Sequence, residues 1–326
     1  IAGEASGDIY GSQLISEIQI LDPNSKIRFW GGDLMKSKSN NLVKHYKDTS
    51  VMGFFEVLKH IFKILRNIDY CKNDILEFKP DRIIYIDYPG FNLRICKWAK
   101  KKGFNNHYYI SPQIWAWKEN RINAIKRDVD HLHVILPFEK NYYKKKHGLE
   151  VNYSGHPLVN YIDKFKPDDN FFDKNNIDNN QPIIALLPGS RLQEIKKILP
   201  VFLSIVKSFE SYQFVIGGVE SIDKEKYSKL IKNKNVKVVF DQTYNLLANA
   251  DAAIVTSGTA SLEAAIFNVP QVVCYKTSII TYLISKILVN IKYISLVNLI
   301  LNNKVVDELV QGSLNSNSLK DSLNKI

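Results

Sequence analysis

Four turns in this chain, each placed where a strand would lead into a helix, carry side chains that could do chemistry, and three of them follow a short apolar run. In Asp87-Tyr88-Pro89-Gly90-Phe91-Asn92 a carboxylate comes directly after Arg82-Ile83-Ile84-Tyr85-Ile86. A carboxylate at the carboxyl edge of a sheet, sheltered from water, could take the proton of an attacking hydroxyl. Helix capping by Asp87 or Asn92, with a Pro-Gly turn, accounts for the same residues without catalysis. In Leu187-Pro188-Gly189-Ser190-Arg191 a guanidinium could fork onto a diphosphate while helix-start amides meet another oxygen. That arrangement stabilises leaving-group charge without a metal. A Ser190 cap with Arg191 paired to Glu194 is the structural alternative.

The third turn, Thr256-Ser257-Gly258-Thr259-Ala260-Ser261-Leu262-Glu263, has small residues that leave room for phosphate or ribose. Glu263, one turn into the helix, could accept hydrogen bonds from paired ribose hydroxyls, whereas Ser257 and Thr259 also suit capping. The fourth, Gly3-Glu4-Ala5-Ser6-Gly7-Asp8-Ile9-Tyr10-Gly11, offers glycines and free amides to an anion or sugar hydroxyl. Its spacing is not GxGxxG, which disfavours a dinucleotide, and Ser6 or Asp8 could simply cap the helix. No GxSxG, GxxxxGK[ST] or HExxH motif and no run of metal ligands occurs. His156, Trp115 and Trp117 read as packing residues.

The elements that must position these turns are parallel strands alternating with helices. Runs such as Ile183-Ile184-Ala185-Leu186-Leu187 and Phe214-Val215-Ile216 are continuously apolar, as strands covered on both faces are, and the series continues through Gln271-Val272-Val273-Cys274-Tyr275. Both halves read as doubly wound α/β units, and 326 residues exceed the usual single domain. Lys164 to Pro182, dense in Asp, Asn and Lys, reads as a linker. Domains are therefore expected over 1–165 and 182–326, joined by 166–181, with a cleft at the carboxyl ends of their strands. A surplus of 44 Lys and Arg over 33 Asp and Glu gives +11, which suits a polyanionic partner, and part of it suits plain solvated surface. Three scattered cysteines argue against a zinc site or disulfide framework. The opening Ile1-Ala2-Gly3 reads as a chain trimmed into its first strand, without a signal peptide. No uncharged run reaches the ~20 residues that span a bilayer.

Taken together, Ala2 to Asp8, Val51-Met52-Gly53, Ile86 to Asn92, Ser111 to Trp117, Leu136 to Glu139, Gly155-His156-Pro157, Leu187 to Arg191 and Ser257 to Ala260 resemble the lipid-A-disaccharide synthase family. They occur in family order across nearly the whole chain. The resemblance implies a GT-B fold, an acceptor-binding N-terminal domain and a UDP-sugar-binding C-terminal domain, with no cofactor and no required metal. It implies inverting transfer between UDP-2,3-diacylglucosamine and 2,3-diacylglucosamine 1-phosphate (lipid X), yielding the lipid A disaccharide 1-phosphate and UDP. Asp87 becomes the general base. Gly189, Ser190, Arg191, Ser257, Gly258, Thr259, Glu263 and Asn298 become substrate ligands, with Glu4, Ser6, Asp8 and Asn92 around the first-domain site. Val297 stands where the family often has proline, and the Ser/Asn/Lys-rich stretch after Gln311 implies a truncated C-terminal helical segment.

Acylated substrates imply an enzyme at the cytoplasmic face of the bacterial inner membrane. Phe54, Phe55, Leu58, Ile61, Phe62 and Leu65 fall at helical spacing beside Lys59, Lys63 and Arg66, a pattern that suits an anionic interface or a core-facing helix with a basic outer side. A homodimer is a further expectation. No nucleic-acid motif is present, which argues against a basic nucleic-acid-binding protein. The nearest rival is another GT-B enzyme, such as a UDP-sugar epimerase or a transferase with a soluble acceptor.

Overall fold

The computed structural model describes residues 1–49, 61–220, 222–231, 236–289 and 291–326. Contacts divide the chain into two compact units, Ile1–Leu158 and Val159–Ile326. The division falls earlier than the sequence pattern places it, and residues 166–181 pack with the second unit. Phe171 and Ile177 explain this: both are buried in that unit's core, two apolar anchors hidden in a polar stretch.

In the first unit the chain runs α1 (Ala5–Leu21), β1 (Phe29–Gly31), α2 (Asp33–Lys36), β2 (Leu42–His45), α3 (Tyr46–Thr49), α4 (Ile61–Phe78), β3 (Arg82–Ile86), α5 (Pro89–Lys101), β4 (Asn105–Tyr109), α6 (Ile122–Asp128), β5 (His131–Val134), α7 (Pro137–His147) and β6 (Asn152–Tyr153). A further helix, α8 (Pro157–Asp163), carries the chain across the division. Strands β1 and β2 pair in parallel, as do β3, β4, β5 and β6 in that order. The extended segment 1–3 joins the two groups. Ala2 N–H donates to Trp30 O (2.9 Å), and Ile86 N–H donates to Ile1 O (2.9 Å). The strand order therefore reverses at residues 1–3, which lie between β1 and β3.

The second unit continues through α9 (Phe171–Asn175), β7 (Ile183–Leu187), α10 (Leu192–Leu203), β8 (Gln213–Gly218), α11 (Lys224–Leu230), β9 (Val236–Phe240), α12 (Thr243–Ala248), β10 (Ala252–Thr256), α13 (Thr259–Ile266), β11 (Gln271–Tyr275), α14 (Ile279–Leu288), α15 (Leu296–Leu301), β12 (Asp307–Val310) and α16 (Ser316–Leu323). Its described strands form one parallel sheet in the order β12-β11-β10-β7-β8-β9. Both faces are covered. Ile184 and Leu186 face one cluster of buried residues, while Ile183, Ala185 and Leu187 face another, which is why β7 is apolar at every position. Leu314, Leu319 and Leu323 join the first cluster, so the polar-looking stretch after Gln311 carries its own apolar stripe.

Of the apolar residues at helical spacing beside Lys59, Lys63 and Arg66, Phe54, Phe55 and Leu58 lie outside the described residues, as does Val51-Met52-Gly53. Within α4, Ile68, Cys71 and Ile75 enter the core, whereas Phe62 is 80% exposed and Leu65 is exposed as well. Phe62 is thus not a core residue. Among the described residues no helix is long and apolar enough to cross a membrane.

Asp8 illustrates how a polar side chain builds this fold. Neither it nor Ser6 caps α1, whose N-cap position is taken by Glu4. The Asp8 carboxylate is buried and accepts three backbone N–H groups, from Gly32 (2.7 Å), Leu34 (3.0 Å) and Met35 (3.0 Å). It thereby fixes the turn from β1 into α2, and those bonds oppose the ligand role the family resemblance implies. Asp8→Ala leaves three donors without an acceptor and is expected to destabilise the first unit by about 2–4 kcal/mol, measurable as a lower denaturant midpoint.

Candidate active site

In the first unit, β3 turns into α5 through Asp87 and Tyr88, both at positive φ (45° and 49°). Left-handed backbone costs a non-glycine residue about 1–3 kcal/mol, so the surroundings must hold it. They do so at the Asp87 carbonyl, which accepts from Asn92 Nδ2 (2.8 Å) and Tyr108 Oη (2.7 Å). Asn92 Nδ2 also donates to Ile1 O (3.2 Å), tying together the two strand ends at the reversal. Asn92 is fully buried, so the structure gives it a positioning role toward Asp87. At Gly3 an added Cβ would lie 2.2 Å from Tyr88 Cδ1, so only glycine lets that ring close over the first turn.

The half-buried Asp87 carboxyl has its pKa raised to about 6. Burial is the main cause and the charge of Glu4 adds to it. The Tyr88 N–H bond and the Arg121 guanidinium oppose the rise. Glu4 and Ser6, both half-buried, stand at the start of α1 beside this turn. A strained, partly desolvated carboxylate at the end of a strand can accept a proton near neutral pH.

Glu139, which closes the Leu136 to Glu139 segment, was given no chemical role by the sequence pattern. Its carboxylate accepts from Trp115 Nε1 (3.1 Å) and from the N–H groups of Ile135 (3.1 Å) and Leu136 (2.9 Å). Burial raises its pKa to about 7, and the Asp87 charge contributes. Its signal was positional: an acid three residues after the last residue before a helix can bond back to the chain entry. Trp115 packs edge-on to Phe138, as a packing residue should, whereas Trp117 is 43% exposed with Lys118 and Arg121 over its ring. His156 stands edge-on to Tyr10, and burial lowers its pKa to about 4.

In the second unit the two candidate turns leave adjacent strands: β7 and β10 pair side by side, with Val255 opposite Leu187. They stand at the point where the strand order reverses, the place where open α/β sheets bind ligands. Gly189 has φ +104°, a conformation that favours glycine. Ser190 is exposed, and Arg191 takes the N-cap position of α10 with its guanidinium exposed. Arg191 pairs with Glu194 (3.2 Å), the contact that the structural alternative named. An exposed pair of this kind contributes at most about 1 kcal/mol, so a diphosphate can compete for the guanidinium.

The second of these turns is built on Ser257, whose hydroxyl donates to Ile294 O (2.7 Å) and so anchors the loop before α15. Gly258 takes the N-cap position of α13, and Thr259, exposed, begins the helix. Glu263 is half-buried; burial raises its pKa and a hydrogen bond from Tyr244 Oη (3.0 Å) opposes the rise. Tyr244, from α12, is a neighbour that no local motif disclosed.

Asn298 differs from its implied role as a ligand. Buried at the start of α15, its Nδ2 donates to Val306 O (3.0 Å) and Glu308 Oε1 (2.8 Å), and its Oδ1 accepts from Val305 N (2.8 Å) and Val306 N (3.0 Å). All four hydrogen-bonding positions of the amide are filled by protein. Asn298 thus shapes the loop. Val297, where proline is usual, lies in the first turn of α15, where the N–H has no intrahelical partner whichever residue is present. Among the described residues no group of three or more His, Cys, Asp or Glu is placed to hold a metal ion.

A sequence model of the lipid-A-disaccharide synthetase family matches residues 1–325. The lipid-A-disaccharide synthase of Trichlorobacter lovleyi is 37% identical over 317 residues, covering 95% of this chain and 82% of that protein. Lipid-A-disaccharide synthase 1 of Legionella pneumophila (strain Paris) is 36% identical over 322 residues, covering 97% and 84%. Among solved structures, the UDP-GlcNAc 2-epimerase of Methanocaldococcus jannaschii in complex with UDP-GlcNAc and UDP superposes with a TM-score of 0.65 at 15% identity, covering 98% of this chain and 89% of that one. The Neisseria meningitidis UDP-GlcNAc 2-epimerase bound to UDP-GlcNAc gives 0.64 at 14%, covering 99% and 97%. At those identities the epimerases share the GT-B-type fold and nothing further is carried over from them. With strand-end turns at both reversals of order and a family match along essentially its whole length, this chain belongs to the lipid-A-disaccharide synthase family of glycosyltransferases.

Proposed function

We propose that this chain joins UDP-2,3-diacylglucosamine to 2,3-diacylglucosamine 1-phosphate, a step of lipid A biosynthesis that releases UDP, by a single inverting displacement. The 6-hydroxyl of the acceptor attacks the anomeric carbon of the donor, the bond from that carbon to the diphosphate breaks, and Asp87 takes the hydroxyl proton. The observation that carries this reading is the Asp87 carboxyl itself, held at the end of β3 with its pKa raised to about 6. At pH 7 it is mostly ionised, yet more basic than an ordinary aspartate.

Charge develops on the departing diphosphate, where the Arg191 guanidinium and the amides that open α10 and α13 are suited to meet it. In this reading the chain's own donors do that work and no metal or cofactor is required. Glu263 accepts hydrogen bonds from the ribose, with Tyr244 holding it in place. Gly189, Ser190, Gly258 and Thr259 leave backbone accessible to the nucleotide, and Ser257 positions that turn. Glu4 and Ser6 border the acceptor beside Asp87, and Asp8, Asn92 and Asn298 hold the loops that present these groups. Both substrates carry acyl chains, so the enzyme works as a peripheral protein on the cytoplasmic face of the inner membrane, with the segment from Phe54, Phe55 and Leu58 to Phe62 against anionic lipid.

Asp87→Ala is expected to abolish disaccharide formation while UDP binding, followed by calorimetry, stays near that of the unaltered chain; substantial turnover by this variant removes the base assignment. The pH profile of kcat/KM should fall on the acidic side as Asp87 is protonated, with an inflection near 6. Glu4→Gln removes a negative charge that disfavours ionisation of Asp87, so that inflection should move to lower pH; a shift to higher pH contradicts the electrostatic argument. Arg191→Ala is expected to lower kcat about 10²- to 10³-fold. A loss confined to KM would instead show that Arg191 binds the ground state and the transition state alike.

A further inference from the structure

We infer that α14 of the second unit is a membrane-docking element, which lays its apolar face into the headgroup and acyl boundary of an anionic bilayer. The inference rests on the reading above, in which both substrates are lipids, and it assigns a membrane contact to a unit whose other candidate residues concern the nucleotide. Ile279, Ile280, Leu283, Ile284, Ile287 and Leu288 recur at a spacing of four and therefore share one side of the helix. Each is more than half exposed, with Ile279 at 74% and Ile287 at 84%. The helix has no buried residue, and Thr281, Tyr282 and Ser285 make up the narrower opposite side.

Its position is nonetheless fixed at the entry. The Ser278 hydroxyl accepts from Thr281 N (3.0 Å), and Thr277 N–H donates to Gln311 Oε1 (2.7 Å), tying the preceding loop to the body of the unit. A contiguous apolar surface presented on an anchored helix is the pattern of an interaction site. At 1.5 Å per residue this helix is roughly 15 Å long, half the hydrocarbon thickness, so it can lie in the interface but cannot cross it.

Charge identifies the occupant. From Lys276 to Val306 the sequence has no Asp or Glu, while it carries Lys276, Lys286, Lys292 and Lys304. Lys304 pairs with Asp307, but Lys276, Lys286 and Lys292 make no ion pair among the described residues. Lys286 is exposed at the edge of the apolar side, where an interfacial helix places a cation against lipid phosphate. A second copy would set one basic surface against another, in a chain of net charge +11. An anionic bilayer satisfies both the apolar face and the uncompensated lysines.

The test is co-sedimentation of the 326-residue chain with phosphatidylcholine vesicles, with and without phosphatidylglycerol, at two salt concentrations. Ile280→Ser/Ile284→Ser/Ile287→Ser changes only exposed side chains, and it should weaken binding to the anionic vesicles about tenfold or more. Lys286→Glu should weaken binding at low salt more than at high salt. Synthesis of disaccharide from detergent-dispersed substrates and affinity for UDP should be unchanged in both variants. Vesicle affinity unaltered by the triple substitution overturns the assignment, as does a change in oligomeric mass by light scattering with vesicle binding intact, which would make a second copy the occupant. Loss of vesicle binding in Phe62→Ser but not in the triple variant would place the membrane contact in the first unit alone. Failure of the unaltered chain to make disaccharide in detergent would instead count against the catalytic reading.

Discussion

The chemistry of this protein depends on one constraint of parallel sheets. Strands buried on both faces must send all their carboxyl ends to one edge, and only where the order of strands reverses do two neighbouring turns diverge and leave that edge open. The first unit reverses at residues 1–3, which bond to Trp30 on one side and Ile86 on the other. The second reverses between β7 and β10. The four turns with chemically capable side chains stand at these two places, so their location follows from how the sheets are wound and not from local sequence alone.

Much of that was legible in the sequence for a physical reason. A strand covered on both faces is apolar at every position, so runs such as Ile183 to Leu187 announce a buried parallel strand, and the Gly, Ser and Asp residues after them announce the turn. What was not legible is the set of side-chain clamps, because each joins residues far apart in the chain. Asp8 looks like a helix cap but reaches the turn around Gly32 to Met35. Asn298 looks like a ligand but is saturated by Val305, Val306 and Glu308. Tyr244 and Glu139 acquire meaning only once Glu263 and Trp115 are beside them. The expected linker shows the same limit: its polar composition was conspicuous, and the two residues that bury it, Phe171 and Ile177, were not.

Fold and family answer different questions here. UDP-GlcNAc 2-epimerases superpose well on this chain at 14–15% identity, which shows that the winding of the sheets is shared. Synthases at 36–37% identity match this chain over 95–97% of its length, and it is that match which assigns the family. The distinction turns on what stands at the strand ends. A scaffold that offers backbone amides at its strand ends suits many enzymes, whereas a carboxylate held at positive φ at the end of β3 is a feature of this chain's own residues.

Gly3 and Tyr88 give this site a historical dimension. Because the ring of Tyr88 occupies the space a Cβ at position 3 would need, position 3 cannot diverge independently of position 88. An alanine at position 3 is tolerable only after the ring at 88 has been replaced by something smaller or has swung away, and that in turn disturbs the pair of left-handed residues that aims Asp87. A side chain at position 3 is therefore coupled to the ring at position 88 through shape, apart from any contact with substrate.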